Sequence, residues 1–207
     1  YREKALAFGL GVCAKDIFLN MLSRKDDPSS EGRNMPEHFS SQPLRLVSMT
    51  ACTGTQFLPA VGMAKAVRMN GGDEVVYVSS GEGATSEGEF FESLNWAARE
   101  KLPVLFVIQN NGYAISVPQE QQTISEIHRI ARGFGLPTYD LDGTRCEPIY
   151  QIVPPLIARI REGYGPALVE ARVIRMDPHS SSDDQRKYRS ELELEQMREQ
   201  DPLLLLE

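Results

Sequence analysis

The chain has 207 residues, 41% hydrophobic and 25% charged, enough to bury the core of one domain. Its net charge of −7 argues against a nucleic-acid-binding surface. No apolar run reaches the roughly 18 residues of a membrane span, and no signal-peptide pattern is visible. Cys13, Cys52 and Cys146 are widely spaced with no CxxC pair, which fits a reducing compartment and no structural zinc.

Residues 1–22 read as helix, interrupted at Gly9 and Gly11, each costing roughly 1 kcal/mol against alanine inside a helix. Residues 23–41 are charged, polar and proline-containing, a loop. His38 in that loop is either a surface residue or one that reaches a functional site. Residues 44–49 predict a strand. The turn Thr50-Ala51-Cys52-Thr53-Gly54-Thr55-Gln56 follows, then a helix over 57–69 with Pro59 tolerated in its first turn. Asn70-Gly71-Gly72 stops it.

The stretch from Glu74 to Ser116 organises the chain. Val75 to Val78 form a β-branched and aromatic run, a buried strand. Gly81-Glu82-Gly83 makes a glycine-rich turn, and Ser86 with Glu89 has the spacing of a capping box. Phe90, Phe91, Leu94, Ala97 and Ala98 recur at helical spacing. Pro103 ends the helix, Val104 to Ile108 make a second buried strand, and Gln109-Asn110-Asn111-Gly112 stops it. Such a strand–helix–strand crossover makes the strands parallel, with ligands expected beyond their carboxyl ends. Glu82 and Asn111 therefore converge. The N–H groups of Gly83 and Ala84 suit an anion such as a phosphate. Glu82, Glu87 and Glu89 crowd the same place, and one like-charge pair at ~4 Å and an effective dielectric of ~20 repels by about 4 kcal/mol. A divalent cation with oxygen ligands resolves the conflict.

Beyond the central unit, residues 117–123 read as loop, and Ser125 caps a short helix carrying Ile127, Ile130 and Ala131. His128 on that helix reads as a surface residue. Residues 137–141 predict a strand closed by Asp142-Gly143. Residues 146–161 are helical by apolar spacing, with Pro154-Pro155 expected to kink or restart the helix. Residues 167–176 are the last clear strand. The polar segment after it contains no large hydrophobe over 178–187. Ordering each of its residues costs roughly 1–2 kcal/mol of backbone entropy, so it is expected to need a ligand to order it. A charged helix begins at Glu191.

Gly81-Glu82-Gly83 followed at a distance by Asn110-Asn111 resembles the thiamine diphosphate motif. The longer run GEGATSEGEFFESLN…LPVLFVIQNNGYAIS is similar to the α subunit of 2-oxo acid dehydrogenases, the decarboxylating component of the multienzyme complexes. The segment from His179 to Arg189 resembles that family's HS-x-SD…YR loop, its double aspartate closer to branched-chain (3-methyl-2-oxobutanoate) than to pyruvate members. The resemblance covers nearly the whole chain. It implies a parallel-sheet, doubly wound α/β thiamine diphosphate-binding fold, with residues 1–207 the core of one domain in a longer subunit.

The resemblance also implies roles. Mg²⁺ would be held by Glu82, the Asn111 side chain and the Tyr113 main-chain carbonyl. Tyr1 and Arg2 would contact the diphosphate, beside Gly83 and Ala84. His179 would reach the cofactor and handle protons near the substrate, with a regulatory phosphoserine at the Ser180 position in mitochondrial forms. The segment around His38 resembles one near the active-site mouth. In branched-chain members the turn after residue 49 holds a potassium ion, whose ligands fall on the Thr50 and Thr55 hydroxyls, the Cys52 carbonyl and Gln56. Three departures stand out. Cys52 replaces the usual proline. Thr53 replaces a bulkier apolar side chain that wedges the cofactor into its bent shape. Gln109 stands where branched-chain members often carry an arginine for the diphosphate.

The implied activity is oxidative decarboxylation of a branched-chain 2-oxo acid, with the acyl group passing to a lipoyl arm. The cofactor acts as electron sink while the protein supplies orientation and charge placement. The implied partners are a β subunit or fused β half, in a two-α two-β assembly, and a lipoyl-bearing acyltransferase core. The glutamate that activates the aminopyrimidine belongs to β, so this chain alone should not catalyse. The implied compartment is the cytoplasm in bacteria or the mitochondrial matrix in eukaryotes. Pyruvate and acetoin dehydrogenases are alternatives. A transketolase-type enzyme, which would want more basic residues for a sugar phosphate, and a non-catalytic phosphate-binding module are more distant ones.

Overall fold

A computed structural model describes residues 3–48 and 50–206, which fall into two compact units, Tyr1–Gln56 and Phe57–Glu207. In the first unit, helices α1 (Lys4–Leu10) and α2 (Ala14–Met21) are separated at Gly11, whose φ of +110° no other residue type adopts readily. The Gly11 and Val12 N–H groups bond back to the Phe8 and Ala7 carbonyls and close α1. Gly9 stays inside α1, so only one of the two expected breaks occurs. Ala7, Ile17 and Phe39 form the small core of this unit.

The loop that follows is organised by a buried carboxylate. Asp27 is 2% exposed and accepts from Asn20 Nδ2, Ser29 N and Oγ, Ser30 Oγ and Gly32 N. Burial works to raise its pKa. The bonds from Ser30, Ser29 and Asn20 outweigh burial and hold the carboxyl far below the usual carboxylate range. The strand expected over 44–49 does not form among the described residues. Ser41 and Leu46 make one isolated bridge around a turn, with Arg45 at φ +53° in the left-handed region, so the run cannot stay extended.

The second unit is a four-stranded, all-parallel sheet in the order β1 (Val76–Gly81), β2 (Val104–Asn110), β6 (Ala167–Arg172), β5 (Thr138–Asp142). Strands β3 (Tyr113–Ala114) and β4 (Val117–Pro118) form a separate small hairpin. Alternation along β2 explains the layering. Val104, Phe106 and Ile108 face a core built with Phe57 and Val61 of α3 (Phe57–Met69), Phe90 and Leu94 of α4 (Gly88–Glu100) and Ile127 of α5 (Ile127–Gly133). Leu105 and Val107 face the opposite core, with Leu156 and Ile160 on the far side. Helices on both faces of a parallel sheet make the fold doubly wound, as expected.

Local expectations fare unevenly. Helix α3 stops at Met69 before Asn70-Gly71-Gly72, as read from the sequence. The capping box does not form: Ser86 ends a 3₁₀ turn over Glu82–Ser86, and α4 starts from Glu87 with no side-chain cap. Helix α6 (Cys146–Arg159) runs through Pro154-Pro155 unbroken and then widens into a π turn over Ile160–Tyr164. The carbonyls left without donors belong to Tyr150 and Gln151, both exposed residues, where solvent can answer them. Helix α7 (Glu191–Glu199) is capped by Ser190, whose Oγ accepts from Glu193 N. None of the described helices is long and apolar enough to cross a membrane.

The Asp27 hub has a local signature. In Asp27→Ala the donors of Ser29, Ser30 and Gly32 lose their acceptor, at a cost of roughly 1–3 kcal/mol. Amide exchange at Ser29 and Gly32 should accelerate while exchange in the parallel sheet stays unchanged. Acidification of the native protein should reproduce this. A depressed carboxyl contributes stability that is complete above its unfolded value of about 3.9 and is lost as pH falls below it.

Candidate active site

The register aligns the carboxyl ends of the strands. Gly81 pairs with Gln109 and Asn110 with Arg172, so the residues after β1, β2 and β6 emerge at one end of the sheet. Glu82, first after β1, is 2% exposed. Its Oε2 accepts from Asn111 N at 3.1 Å, with Asn111 Nδ2 at 3.5 Å. Its Oε1 and the Oδ1 of Asn111 are buried without hydrogen-bond partners. Two orphaned acceptors, one carboxylate and one amide oxygen, leave a deficit that protein donors do not fill and an oxygen-seeking cation would.

The third expected ligand follows from hairpin geometry. Gln119 N bonds to the Gly112 carbonyl at 2.9 Å, which makes Tyr113–Pro118 a non-hydrogen-bonded pair. The peptide groups of Tyr113 therefore point away from β4, and Pro118 has no N–H to offer in any case. The Tyr113 N–H is directed at Glu82, which puts its carbonyl on the same edge. Gly83 allows this approach: a Cβ there would lie 2.5 Å from the Ala114 Cβ and 3.2 Å from Gln122 Oε1. Ala84 is buried beside it.

Burial pushes the Glu82 carboxyl up. Its own N–H, the Asn111 N–H, the Arg175 charge and the Tyr113 N–H pull it down, but burial prevails. The sequence reading missed Arg175. A cation inside the apolar run that closes the last strand was its only signal. Arg175 Nη2 donates to the Ile115 carbonyl (2.8 Å) and to Tyr188 Oη (2.7 Å), while Nε and Nη1 are buried without hydrogen bonds.

The loop after β6 is tied to the same end. Asp183 Oδ2 accepts from His179 N at 2.8 Å and from the Tyr188 hydroxyl at 2.6 Å, and these bonds hold its carboxyl below the ordinary range. Gln185 Nε2 holds the Met176 carbonyl at 2.8 Å. Arg189, 4% exposed, donates to the Arg175 carbonyl at 2.9 Å, lies 4.3 Å over the Tyr113 ring and pairs with Glu193 at 3.5 Å. The structure thus brings Glu82, Gly83, Ala84, Asn111 and Tyr113 together and anchors the His179 backbone through Asp183.

Within the first unit, Thr55 Oγ1 lies 3.0 Å from both Thr50 Oγ1 and the Cys52 carbonyl, and Cys52 N donates to Thr50 Oγ1 at 3.1 Å. Three of the four expected potassium ligands are therefore clustered, already bonded to one another as a turn. Thr53 belongs to that turn. Gln56 is the last residue of this unit. Tyr1 and Arg2 lie outside the described residues. His38 is not a surface residue: it is 5% exposed, and its Nδ1 donates to the Pro36 carbonyl at 2.9 Å. His128 is also buried, against expectation, bonded to Glu170.

An all-parallel sheet with helices on both faces defines an α/β protein of the doubly wound class. More narrowly, the chain belongs to the dehydrogenase E1 component family, whose model matches residues 1–207. It is 40% identical over 205 residues to the 2-oxoisovalerate dehydrogenase subunit alpha of Bacillus subtilis (strain 168), covering 99% of this chain and 62% of that protein. It is 40% identical over 156 residues to the 3-methyl-2-oxobutanoate dehydrogenase subunit alpha of Mycobacterium tuberculosis (strain ATCC 25618 / H37Rv), covering 75% and 42%. The pyruvate dehydrogenase E1 component subunit alpha of Staphylococcus aureus (strain N315) matches at 35% over 176 residues, covering 84% and 46%. The chain thus spans less than two thirds of each relative. A solved structure of a Mycobacterium smegmatis enzyme described as thiamin diphosphate-dependent aligns with 65% of this chain and 25% of that one, at 25% identity and a TM-score of 0.47.

The raised Glu82 carboxyl sets a test. Its folded pKa lies above the unfolded one, so the protein loses stability as pH rises from about 4 through the folded value. In chelator, Glu82→Gln should therefore unfold at a higher temperature than the native sequence at neutral pH, and the gap should close toward pH 4. Thermal unfolding across that range measures it.

Proposed function

We propose that this chain is the α component of a thiamine diphosphate- and Mg²⁺-dependent 2-oxo acid dehydrogenase that decarboxylates a branched-chain 2-oxo acid and hands the acyl group to a lipoyl domain. One observation carries the reading: the buried, unbonded Glu82 Oε1 and Asn111 Oδ1 beside the outward edge of Tyr113. This is the donor set Mg²⁺ takes at a diphosphate, where the protein contributes few ligands and phosphates and water supply the rest. Branched-chain relatives at 40% identity against 35% for the pyruvate relative support the substrate class.

Within this reading Glu82, the Asn111 side chain and the Tyr113 carbonyl hold the metal. Gly83 and Ala84 offer backbone N–H groups to the diphosphate. Bound thiamine diphosphate supplies the electron sink for decarboxylation. His179, held at its backbone by Asp183, moves protons near the substrate. Thr50, Cys52, Thr55 and Gln56 form a potassium site within the first unit. The 207 residues act as one cofactor-binding domain whose catalytic complement comes from a β subunit or fused β half in a two-α two-β assembly, served by a lipoyl-bearing acyltransferase core. The medium is the bacterial cytoplasm, or the mitochondrial matrix in a eukaryote.

Two measurements test this. The complete subunit assembled with β should turn over 3-methyl-2-oxobutanoate with an artificial electron acceptor and prefer it to pyruvate, while the isolated subunit should turn over neither. A preference for pyruvate removes the substrate assignment, and turnover without β removes the shared site. Limited trypsinolysis addresses the loop. Arg186 and Lys187 are its exposed cleavage sites, whereas Arg189 is buried. Cutting at 186–187 should slow when thiamine diphosphate and Mg²⁺ are added to the assembled enzyme, because ordering the loop against the cofactor withdraws it from protease.

A further inference from the structure

Glu170 is a carboxylate in the interior of the sheet. It lies in β6 between Val169 and Ala171, is 2% exposed, and has among the described residues a histidine as its one ion-pair partner. A buried carboxylate is tolerated only when its oxygens are answered. Here both are. Oε1 accepts from Asn110 Nδ2 at 2.6 Å. Oε2 accepts from the His128 backbone N–H at 2.8 Å and from His128 Nδ1 at 2.7 Å. A carboxylate that only accepts requires Nδ1 to carry the ring proton.

Asn110 passes this constraint onward. It is the last residue of β2 and is buried. Its Nδ2 also reaches Gln119 Oε1 at 2.9 Å, its Oδ1 accepts from Gly112 N at 2.9 Å, and its carbonyl accepts from Val173 N at 2.8 Å. The amide is therefore committed on both its donor and its acceptor side. Gly112 turns the chain at φ +81°, and this turn aims Asn111 at Glu82 and starts the hairpin that carries Tyr113. A continuous chain of bonds runs from Glu170 through the Asn110 amide to the Gly112 N–H, inside the turn that holds two of the three proposed metal ligands.

We infer that Glu170 is a positioning residue for the metal site: it grips Asn110 and so fixes the turn that presents Asn111 and Tyr113, while its second oxygen pins the start of α5 through His128. Glu170 touches neither metal nor cofactor in this scheme. It acts as outer-shell partners of metal ligands do, by removing the freedom of the groups that bind. The inference rests on the Mg²⁺ site proposed above. It goes further by locating that site's rigidity in β6, a strand that contributes none of the proposed metal ligands.

The test uses the assembled enzyme and reads the Mg²⁺ concentration that supports half-maximal thiamine diphosphate binding by titration calorimetry, with thermal midpoints recorded alongside. Glu170→Gln should raise that concentration roughly 10–100-fold. Asn110→Asp, which sets carboxylate against carboxylate, should raise it as well. The double variant exchanges amide and carboxylate, restores the bond, and should recover most of the loss. A lowered midpoint with a native Mg²⁺ requirement, or a double variant no better than the worse single one, overturns the inference. If Glu170→Gln fails to assemble, Asn110→Ala still decides: a native Mg²⁺ requirement without the Asn110 amide means Glu170 does not act through it. Glu82→Gln separates the two levels. If it abolishes metal-dependent binding while Glu170→Gln leaves binding unchanged, only the positioning role falls. If Glu82→Gln itself changes nothing, the metal site falls first.

Discussion

The structure of the second unit turns on a carboxylate that is half answered. Glu82 sits at the end of β1 with one oxygen bonded to Asn111 and the other facing no donor. In a monomeric fold such an atom is a loss, and natural cores avoid it. Everything around it works to keep the loss in place rather than relieve it. Gly83 lets the hairpin close over the turn, Tyr113 presents to Glu82 the peptide edge that faces away from β4, and Arg175 supplies charge at a distance without bonding to it. This is the pattern of a site that stores an unmet electrostatic demand for a ligand.

A second layer stabilises that arrangement through polar contacts rather than apolar area. The loop after β6 contains almost nothing to bury, yet it is tied by Asp183 to His179 and Tyr188, by Gln185 to Met176, and by Arg189 to the Arg175 carbonyl and the face of Tyr113. Tyr113 is shared: its backbone faces Glu82 and its ring lies under Arg189. A loop held in this way is ordered by few, directional bonds.

Much of the second unit was legible in the sequence because its signals are strong and local. The β-branched runs of β1 and β2, the Pro103 break and the glycine stops fixed a parallel crossover, and Glu82 and Asn111 followed from its geometry. Readings that failed did so where tertiary context outweighed local preference. Ser86 and Glu89 had cap spacing, but the chain first completes a 3₁₀ turn. Pro154-Pro155 did not break α6, because the carbonyls they strand face water. The 44–49 strand gave way to a turn at Arg45. Buried polar residues were the least legible. His128 and Glu170 look like surface residues in one dimension, since nothing local reveals that each meets the other across forty-two residues, and the half-buried Arg175 meets Ile115 sixty residues away.

The contact between Gly83 and Ala114 reaches beyond this one molecule. The two positions are thirty-one residues apart on the chain, yet the space between them admits one Cβ and no more. Among descendants of this fold, a side chain gained at 83 must be offset by one lost at 114. The pair should drift together or not at all. Wherever a lineage carries alanine at the first position, glycine is expected at the second, a correlation imposed by the hairpin's closure alone.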